Sequence, residues 1–358
     1  MLDQQKFIEQ RMADVNNYEN LLRALVSLKK YVEENIGGKY YFGGKLLKSG
    51  LDPQTPDMII DFKDTLVIGE AKRSLCNPFP EENKDKYIKR YVEGKIISQL
   101  KKYDQTFQNI SVDKHDLMLL APETDNEALG ILKFDYLDKN TNTFERKFSI
   151  VVYSVSLGAN TKTILVKYDY GSMSNDGLFD ILRRGIKYYE KQIVNELGRY
   201  KIYEENNTPI EYIMLLLWDS IFNEILKTSE TDCIIKRYKE RESTFEVNLV
   251  KLVEYLQKMY VLPTLPSTPA LMKENSRMQF KTKVVRDAMD IFCIIGLAKK
   301  ISEKNEDVLY EVTLKTLPEK NELSYFLKKI HEIQNTGSKP LDPTGIEKLT
   351  KYFPENMK

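Results

Sequence analysis

The period of the apolar residues changes three times between residues 20 and 170, and the order of those changes leaves this chain few folds. Leu21, Leu25, Leu28, Val32 and Ile36 recur at intervals of four, three, four and four. That spacing puts them on one face of a helix filling the first 36 residues. Gly37-Gly38 ends it, and Gly43-Gly44, Gly50, Pro53 and Pro56 predict a loop. Residues 58–62 and 66–71 read as short strands joined by the polar turn Lys63-Asp64-Thr65. After Asn77-Pro78 and Pro80 comes a second long helix over 84–107. Strand-like runs follow over 117–121, 129–136, 148–155 and 163–170, with a closing helix near 178–197. Helix, two strands, helix and further strands is a mixed α/β order, assigned to a first domain of residues 1–200. A helical connector, 201–244, includes a helix over 210–226. The last domain, 245–358, carries helical patterns over 247–260, 269–278 and 284–295. Two alternating runs, 297–302 and 308–314, and a tail helix over 322–333 follow.

Composition removes several function classes. A chain of 358 residues predicts two or three domains, and 42% hydrophobic with 30% charged residues is a globular balance. The longest uninterrupted apolar run, residues 213–218, is too short to span a bilayer. Met1-Leu2-Asp3-Gln4-Gln5 has no basic start and apolar stretch, so no secretory signal is read and a cytoplasmic protein without membrane contact is expected. Cys76, Cys233 and Cys293 lie far apart, without metal-ligand spacing or a disulfide framework. With only His115 and His331, zinc hydrolases, histidine-metal nucleases and Ser-His-Asp hydrolases have few ways to be built. Gly38–Lys45 has one residue too many for a phosphate-binding loop, and Leu46 stands where Ser or Thr is needed, so no ATPase motor is expected. The net charge of +1 confines any nucleic-acid affinity to local patches.

The segment richest in chemistry is Pro56-Asp57 followed by Glu70-Ala71-Lys72. Side chains two apart on a strand share a face, so Glu70 and Lys72 point the same way. Asp57 lies 13 residues before Glu70 and starts the neighbouring strand of a hairpin, so one carboxylate from each strand can meet at one end. Two carboxylates sharing a site repel unless a cation lies between them, and oxygen-only ligands suit Mg²⁺ or Mn²⁺. A lysine beside metal-bound water could orient it or stabilise the attacking hydroxide. Two alternatives stand at this point. The hairpin could be a surface one with a solvated Glu70–Lys72 pair, or Asp61, which shares a strand face with Asp57, could be the ligand. Val67, Ile68 and Ala71 argue for a strand buried on both faces, where an unpaired Glu and Lys would be costly.

These residues resemble the PD-(D/E)xK nuclease superfamily, the restriction-endonuclease-like fold, over roughly residues 20–125. The resemblance implies a mixed sheet flanked by helices, with Asp57 and Glu70 as metal ligands and Lys72 as the catalytic lysine. A further acidic ligand often comes from the first helix. Glu33 falls on a flank of its apolar stripe and Glu34 nearly opposite, so Glu33 is preferred. Gln99 and Tyr103, an i, i+4 pair on the second helix, resemble the Gln-x-x-x-Tyr element of RecB- and Cas4-like nucleases and would contact DNA or brace the site. The implied activity is Mg²⁺- or Mn²⁺-dependent hydrolysis of DNA phosphodiester bonds. The implied setting is a microbial restriction or anti-phage defence effector, acting as a homodimer or with a partner defence subunit.

Two basic surfaces accompany this reading. The second helix carries Lys84, Lys86, Lys89, Arg90, Lys95, Lys101 and Lys102 against Asp85, Glu93 and Asp104, seven charges against three. It is either a phosphate-facing surface beside the site or a solvated helix face. Residues 245–316, three helices and then two strands, resemble a winged helix-turn-helix, a module that binds DNA or docks proteins. Lys281, Lys283 and Arg286 open its third helix and are expected to add to substrate affinity. The competing readings are a catalytically silent DNA-binding scaffold and a winged-helix transcription regulator.

Overall fold

The computed structural model describes residues 3–43, 46–47, 54–75, 83–108, 110, 114–139, 143–158, 161–201, 208–221, 235–239, 244–263, 280–304, 307–313, 321–336 and 345–353. The expected helix over 269–278, the end of that over 210–226, and Gly44, Lys45, Gly50, Pro53, Cys76–Pro80 and Cys233 lie outside them. The chain divides into two compact units. The first comprises Glu19–Tyr203 and Val261–Met278, and the second Met1–Tyr18, Glu204–Tyr260 and Gln279–Lys358. The cut at Tyr203 falls beside the boundary read at residue 200. The first 18 residues and the 201–244 connector group with the second unit.

The first unit is built on a seven-stranded mixed sheet in sequence order. Helix α1 (Gln4–Asn35) is followed by β1 (Lys39–Phe42), β2 (Met58–Asp61) and β3 (Leu66–Ala71), an antiparallel meander. A helical segment of α2 (Lys84–Tyr91), a π-helical turn (Val92–Ile97) and α3 (Ser98–Tyr103) crosses over to β4 (His115–Pro122), parallel to β3. A second crossover, α4 (Asn126–Ile131) continuing as π-helix (Leu132–Asp138), leads to β5 (Phe148–Leu157), parallel to β4. Parallel pairs need such connections, which is why two helical segments interrupt the strands here. Strand β6 (Lys162–Gly171), α5 (Asp176–Arg184), β7 (Ile186–Tyr189) and α6 (Glu190–Arg199) complete the unit, with β6 and β7 antiparallel. Strand β3 is buried at every position, as its apolar run predicts.

One core matters most for the site. Ile59 of β2, Leu66 and Ile68 of β3, and Leu117, Leu119 and Ala121 of β4 pack with Ile88, Val92, Ile96, Leu100 and Tyr103 of the α2–α3 segment. By strand alternation this sheet face also receives residues 57, 70 and 72. None of the buried α1 side chains belongs to this core.

Several expectations are corrected. Residues 129–136 are helical. Ala128, Leu129 and Leu132, buried at helical spacing, fill one face, and Asp135 pairs with Lys139 one turn on. The single helix over 178–197 is two helices around β7, because Gly185 (φ 85) ends α5 while its N–H donates to the Ile181 and Leu182 carbonyls. Residues 39–42, to which the sequence assigns no element, form β1, and the second helical segment ends at Tyr103 rather than at residue 107. Gly185→Ala is expected to cost about 1–3 kcal/mol, since a side chain at that φ is strained and its Cβ would meet Leu165 Cδ1 at 3.1 Å. A lower urea midpoint at unchanged slope measures it.

The second unit is helical around a four-stranded antiparallel sheet. Its elements are α7 (Ile210–Leu215, continuing as π-helix Leu216–Ile221), β8 (Ile235–Lys239), β9 (Thr244–Asn248), α8 (Leu249–Met259), α9 (Thr282–Ile294), β10 (Ala298–Lys304), β11 (Asp307–Thr313), α10 (Glu322–Thr336) and α11 (Gly345–Tyr352). The sheet order is β10-β11-β9-β8. The expected hairpin is present, but residues 247 and 248 are strand rather than helix. Asn248 caps α8 by accepting from the Lys251 N–H at 3.0 Å. Trp218 is a core residue, 5.5 Å from Phe292 and 5.9 Å from Phe326 between ring centroids.

Candidate active site

Asp57 and Glu70 meet because of the β2–β3 register. Met58 opposes Gly69, so Asp57 opposes Glu70 at the end away from the turn, and the Asp57 N–H donates to the Gly69 carbonyl at 3.1 Å. Both carboxylates are buried, Asp57 at 7% and Glu70 at 1% exposure. Asp57 Oδ2 accepts from the Ala71 N–H at 2.8 Å. Glu70 Oε2 accepts from Lys72 Nζ at 2.8 Å, and Oε1 accepts from Gln99 Nε2 at 2.8 Å and from the Tyr103 hydroxyl. Gln99 Oε1 in turn accepts from Lys72 Nζ at 3.4 Å, closing a ring of Glu70, Lys72 and Gln99. The helix covering this sheet face therefore delivers Gln99 and Tyr103 directly onto the carboxylate.

The Glu70 carboxylate is held by one cationic and two neutral donors. Burial, then the Glu70 charge, pushes the Tyr103 hydroxyl far above the ordinary tyrosine range, so it remains a donor. Tyr40 is driven upward by burial and by the charges of Asp57 and Glu33.

Asp61 is at the wrong end of the hairpin for the alternative read from sequence. It opposes Leu66 and accepts from the Lys63 N–H at 2.9 Å, holding the turn. The buried Glu70–Lys72 pair likewise replaces the solvated surface pair. Glu33 does not join Asp57 and Glu70. It accepts from Lys29 and, at 3.3 Å, from the Tyr40 N–H, while Glu34 accepts from Lys30 at 2.5 Å.

Two polar residues of β4 are structural. His115 is buried, and its Nε2 lies 2.7 Å from the Tyr103 carbonyl, an acceptor only, so Nε2 carries the proton. Burial lowers its pKa, which suits a neutral brace rather than a base. Asp116 is buried and accepts from the Ser174 N–H and Oγ.

Sequence reasoning missed the supports behind Lys72. The Tyr153 hydroxyl of β5 donates to the Lys72 carbonyl at 3.3 Å, and the Lys72 N–H donates to the Leu120 carbonyl at 2.8 Å. Asp125 accepts from the Leu75 N–H. Tyr153, directly after the apolar run 150–152, was the local signal, since its hydroxyl needs a partner when buried.

Oxygen-only donors such as these carboxylates are the kind a hard divalent cation takes. Among the described residues no three His, Cys, Asp or Glu side chains gather into a cage. Mg²⁺ is commonly held by one or two carboxylates with water and phosphate completing its shell, and Asp57 and Glu70 provide such a pair.

In the second unit, α9 is buried from Asp287 to Ile294, so its exposed part is the first turn. Just beyond that turn Arg286 pairs with Glu303 of β10, and within the buried stretch Asp290 accepts from Tyr310 OH at 2.7 Å and Asp287 from Lys351 Nζ at 2.8 Å. No helix of the described residues is long and apolar enough to cross a membrane. Comparison with protein-family models, curated proteins and solved structures finds nothing that matches this chain.

Proposed function

We propose that this chain is a metal-dependent DNA nuclease of the PD-(D/E)xK, restriction-endonuclease-like type. The observation that carries the reading is the convergence of Asp57, Glu70, Lys72, Gln99 and Tyr103 at one end of the β2–β3 pair. The order of one helix, a three-strand meander, a crossover helix and a parallel strand supports it. Asp57 and Glu70 present oxygens to Mg²⁺ or Mn²⁺. Bound there, the ion supplies charge neutralisation at the phosphoryl group and a water of lowered pKa. Gln99 and Tyr103 fix the Glu70 carboxylate in one orientation, so little reorganisation is needed when substrate arrives. Lys72, locked by Glu70 and Gln99, offers its ammonium to the attacking hydroxide or the phosphate.

The strand–helix–helix–hairpin order of β9, α8, α9, β10 and β11 supports a winged-helix-like second unit. Burial of α9 favours docking of a partner chain or a second copy over insertion of that helix into a DNA groove, and it weighs against a winged-helix transcription regulator. A cytoplasmic restriction or anti-phage effector is the setting this combination supports.

The test is cleavage of linear, circular and single-stranded DNA with each metal in turn. Mg²⁺ and Mn²⁺ should support hydrolysis, whereas Ca²⁺ should support binding with little cleavage, because its looser coordination positions water poorly. Equal cleavage in excess chelator, or stoichiometric zinc in the purified protein, would overturn the reading.

A further inference from the structure

The seven cations of the second helical segment fall into two sets. Lys84 pairs with Glu127 at 2.6 Å and Lys89 with Asp135 at 2.7 Å, so both are neutralised by the α4 segment. Two of the segment's own acids are also engaged: Glu93 hydrogen-bonds Tyr136, and Asp104 accepts from the Glu145 and Arg146 N–H groups at 2.7 and 2.9 Å. Lys86, Arg90, Lys95, Lys101 and Lys102 are exposed and make no ion pair with another described residue. Lys95 lies four residues before Gln99 and Lys102 three after it, the spacings that put helical side chains on neighbouring positions. Gln99, which touches both Glu70 and Lys72, is thus bracketed along the helix by two exposed ammonium groups.

We infer that Lys95 and Lys102 seat the phosphates on either side of the scissile one, so that the nucleic-acid strand runs along the α3 face across Gln99. Seven residues separate the two lysines, about 10 Å at a helical rise of about 1.5 Å. A strand carries a phosphate about every 3.4 Å of duplex axis, so that span covers about three phosphate steps, and the scissile phosphate falls between the two seated ones, near Gln99. The inference rests on the nuclease reading and adds to it the path of the substrate backbone. It also separates working cations from structural ones, since Lys84 and Lys89 already have carboxylate partners.

The experiment is salt-dependent binding of fluorescent 20-nucleotide duplex and single-stranded DNA, in Ca²⁺, to wild type, Lys95→Ala/Lys102→Ala and Lys84→Ala/Lys89→Ala. Losing two phosphate contacts should weaken binding about tenfold or more. It should also flatten the log–log salt slope by about 1.8 on duplex or about 1.4 on a single strand. The Lys84/Lys89 variant should keep the wild-type slope. An unchanged slope in the Lys95/Lys102 variant, or an equal loss in the Lys84/Lys89 variant, overturns the inference, even where the wild type still cleaves with Mg²⁺. A wild type that neither binds nor cleaves DNA removes the nuclease reading itself, and this proposal with it.

Discussion

Glu70→Gln is expected to reduce Mg²⁺-dependent cleavage by roughly 10³-fold while leaving the protein folded, because the substitution removes charge and almost no volume. The amide oxygen can still accept from Tyr103, and Lys72 Nζ keeps Gln99 Oε1 at 3.4 Å. What disappears is one of the two negative groups available to a cation. Lys72→Ala should lower the rate comparably but by a different route, and it carries a stability penalty. Glu70 would remain 1% exposed with Gln99 and Tyr103 but without its ammonium partner, a loss of about 3 kcal/mol or more. Lys72→Met keeps the aliphatic stem and is the cleaner test. Wild-type cleavage rates in Glu70→Gln, with matched circular dichroism, would remove Glu70 from the chemistry.

The largest stability effect is expected from Arg11→Ala, far from the chemistry in sequence. Glu211 at the start of α7 is 1% exposed and pairs with Arg11 Nε, while Arg11 Nη2 donates to the Tyr352 carbonyl at 2.9 Å and its guanidinium stacks on Phe353 at 4.7 Å. Removing one partner of a buried pair costs about 3–5 kcal/mol, or about 10 °C in Tm for a unit this size. Burial raises the Glu211 pKa above its ordinary 4.5, and Arg11 opposes that rise. A carboxyl raised in the folded state contributes stability that is full below its unfolded pKa and lost as pH climbs through the folded one. Without Arg11 the folded pKa rises further, so the gap between wild type and variant should be small near pH 4.5 and widen toward pH 7. Adding Glu211→Gln to Arg11→Ala should recover much of the loss. A gap that does not change between pH 5 and pH 7 would contradict this account.

The convergence of five residues at the open end of the β2–β3 pair was readable in the sequence because short-range periodicities govern each separation. The strand period ties Glu70 to Lys72, a hairpin of ordinary length ties Asp57 to Glu70, and the helical period ties Gln99 to Tyr103. Glu33 could not be settled that way, since its environment depends on how α1 packs rather than on its own wheel. Residues 129–136 misled because their apolar side chains satisfy both periods, and tertiary packing chose the helix. Strand β8, with Ile235-Lys-Arg-Tyr-Lys239, has little alternation to detect and acquires its identity only from pairing with β9. Burial of α9 from Asp287 onward was equally invisible, since Asp287 and Asp290 look like solvent-facing residues until Lys351, Tyr352 and Tyr310 are brought against them.

In the proposed nuclease, Asp57 and Glu70 face one another across β2 and β3 to hold a divalent cation beside Lys72. Mn²⁺ binding followed by electron paramagnetic resonance tests it without reference to any substrate. Mn²⁺ should bind wild type, be displaced by excess Mg²⁺, and be lost in both Asp57→Asn and Glu70→Gln, with Asp61→Asn unaffected. Mn²⁺ held equally well by Asp57→Asn and Glu70→Gln, or by none of the proteins at millimolar metal, would contradict it.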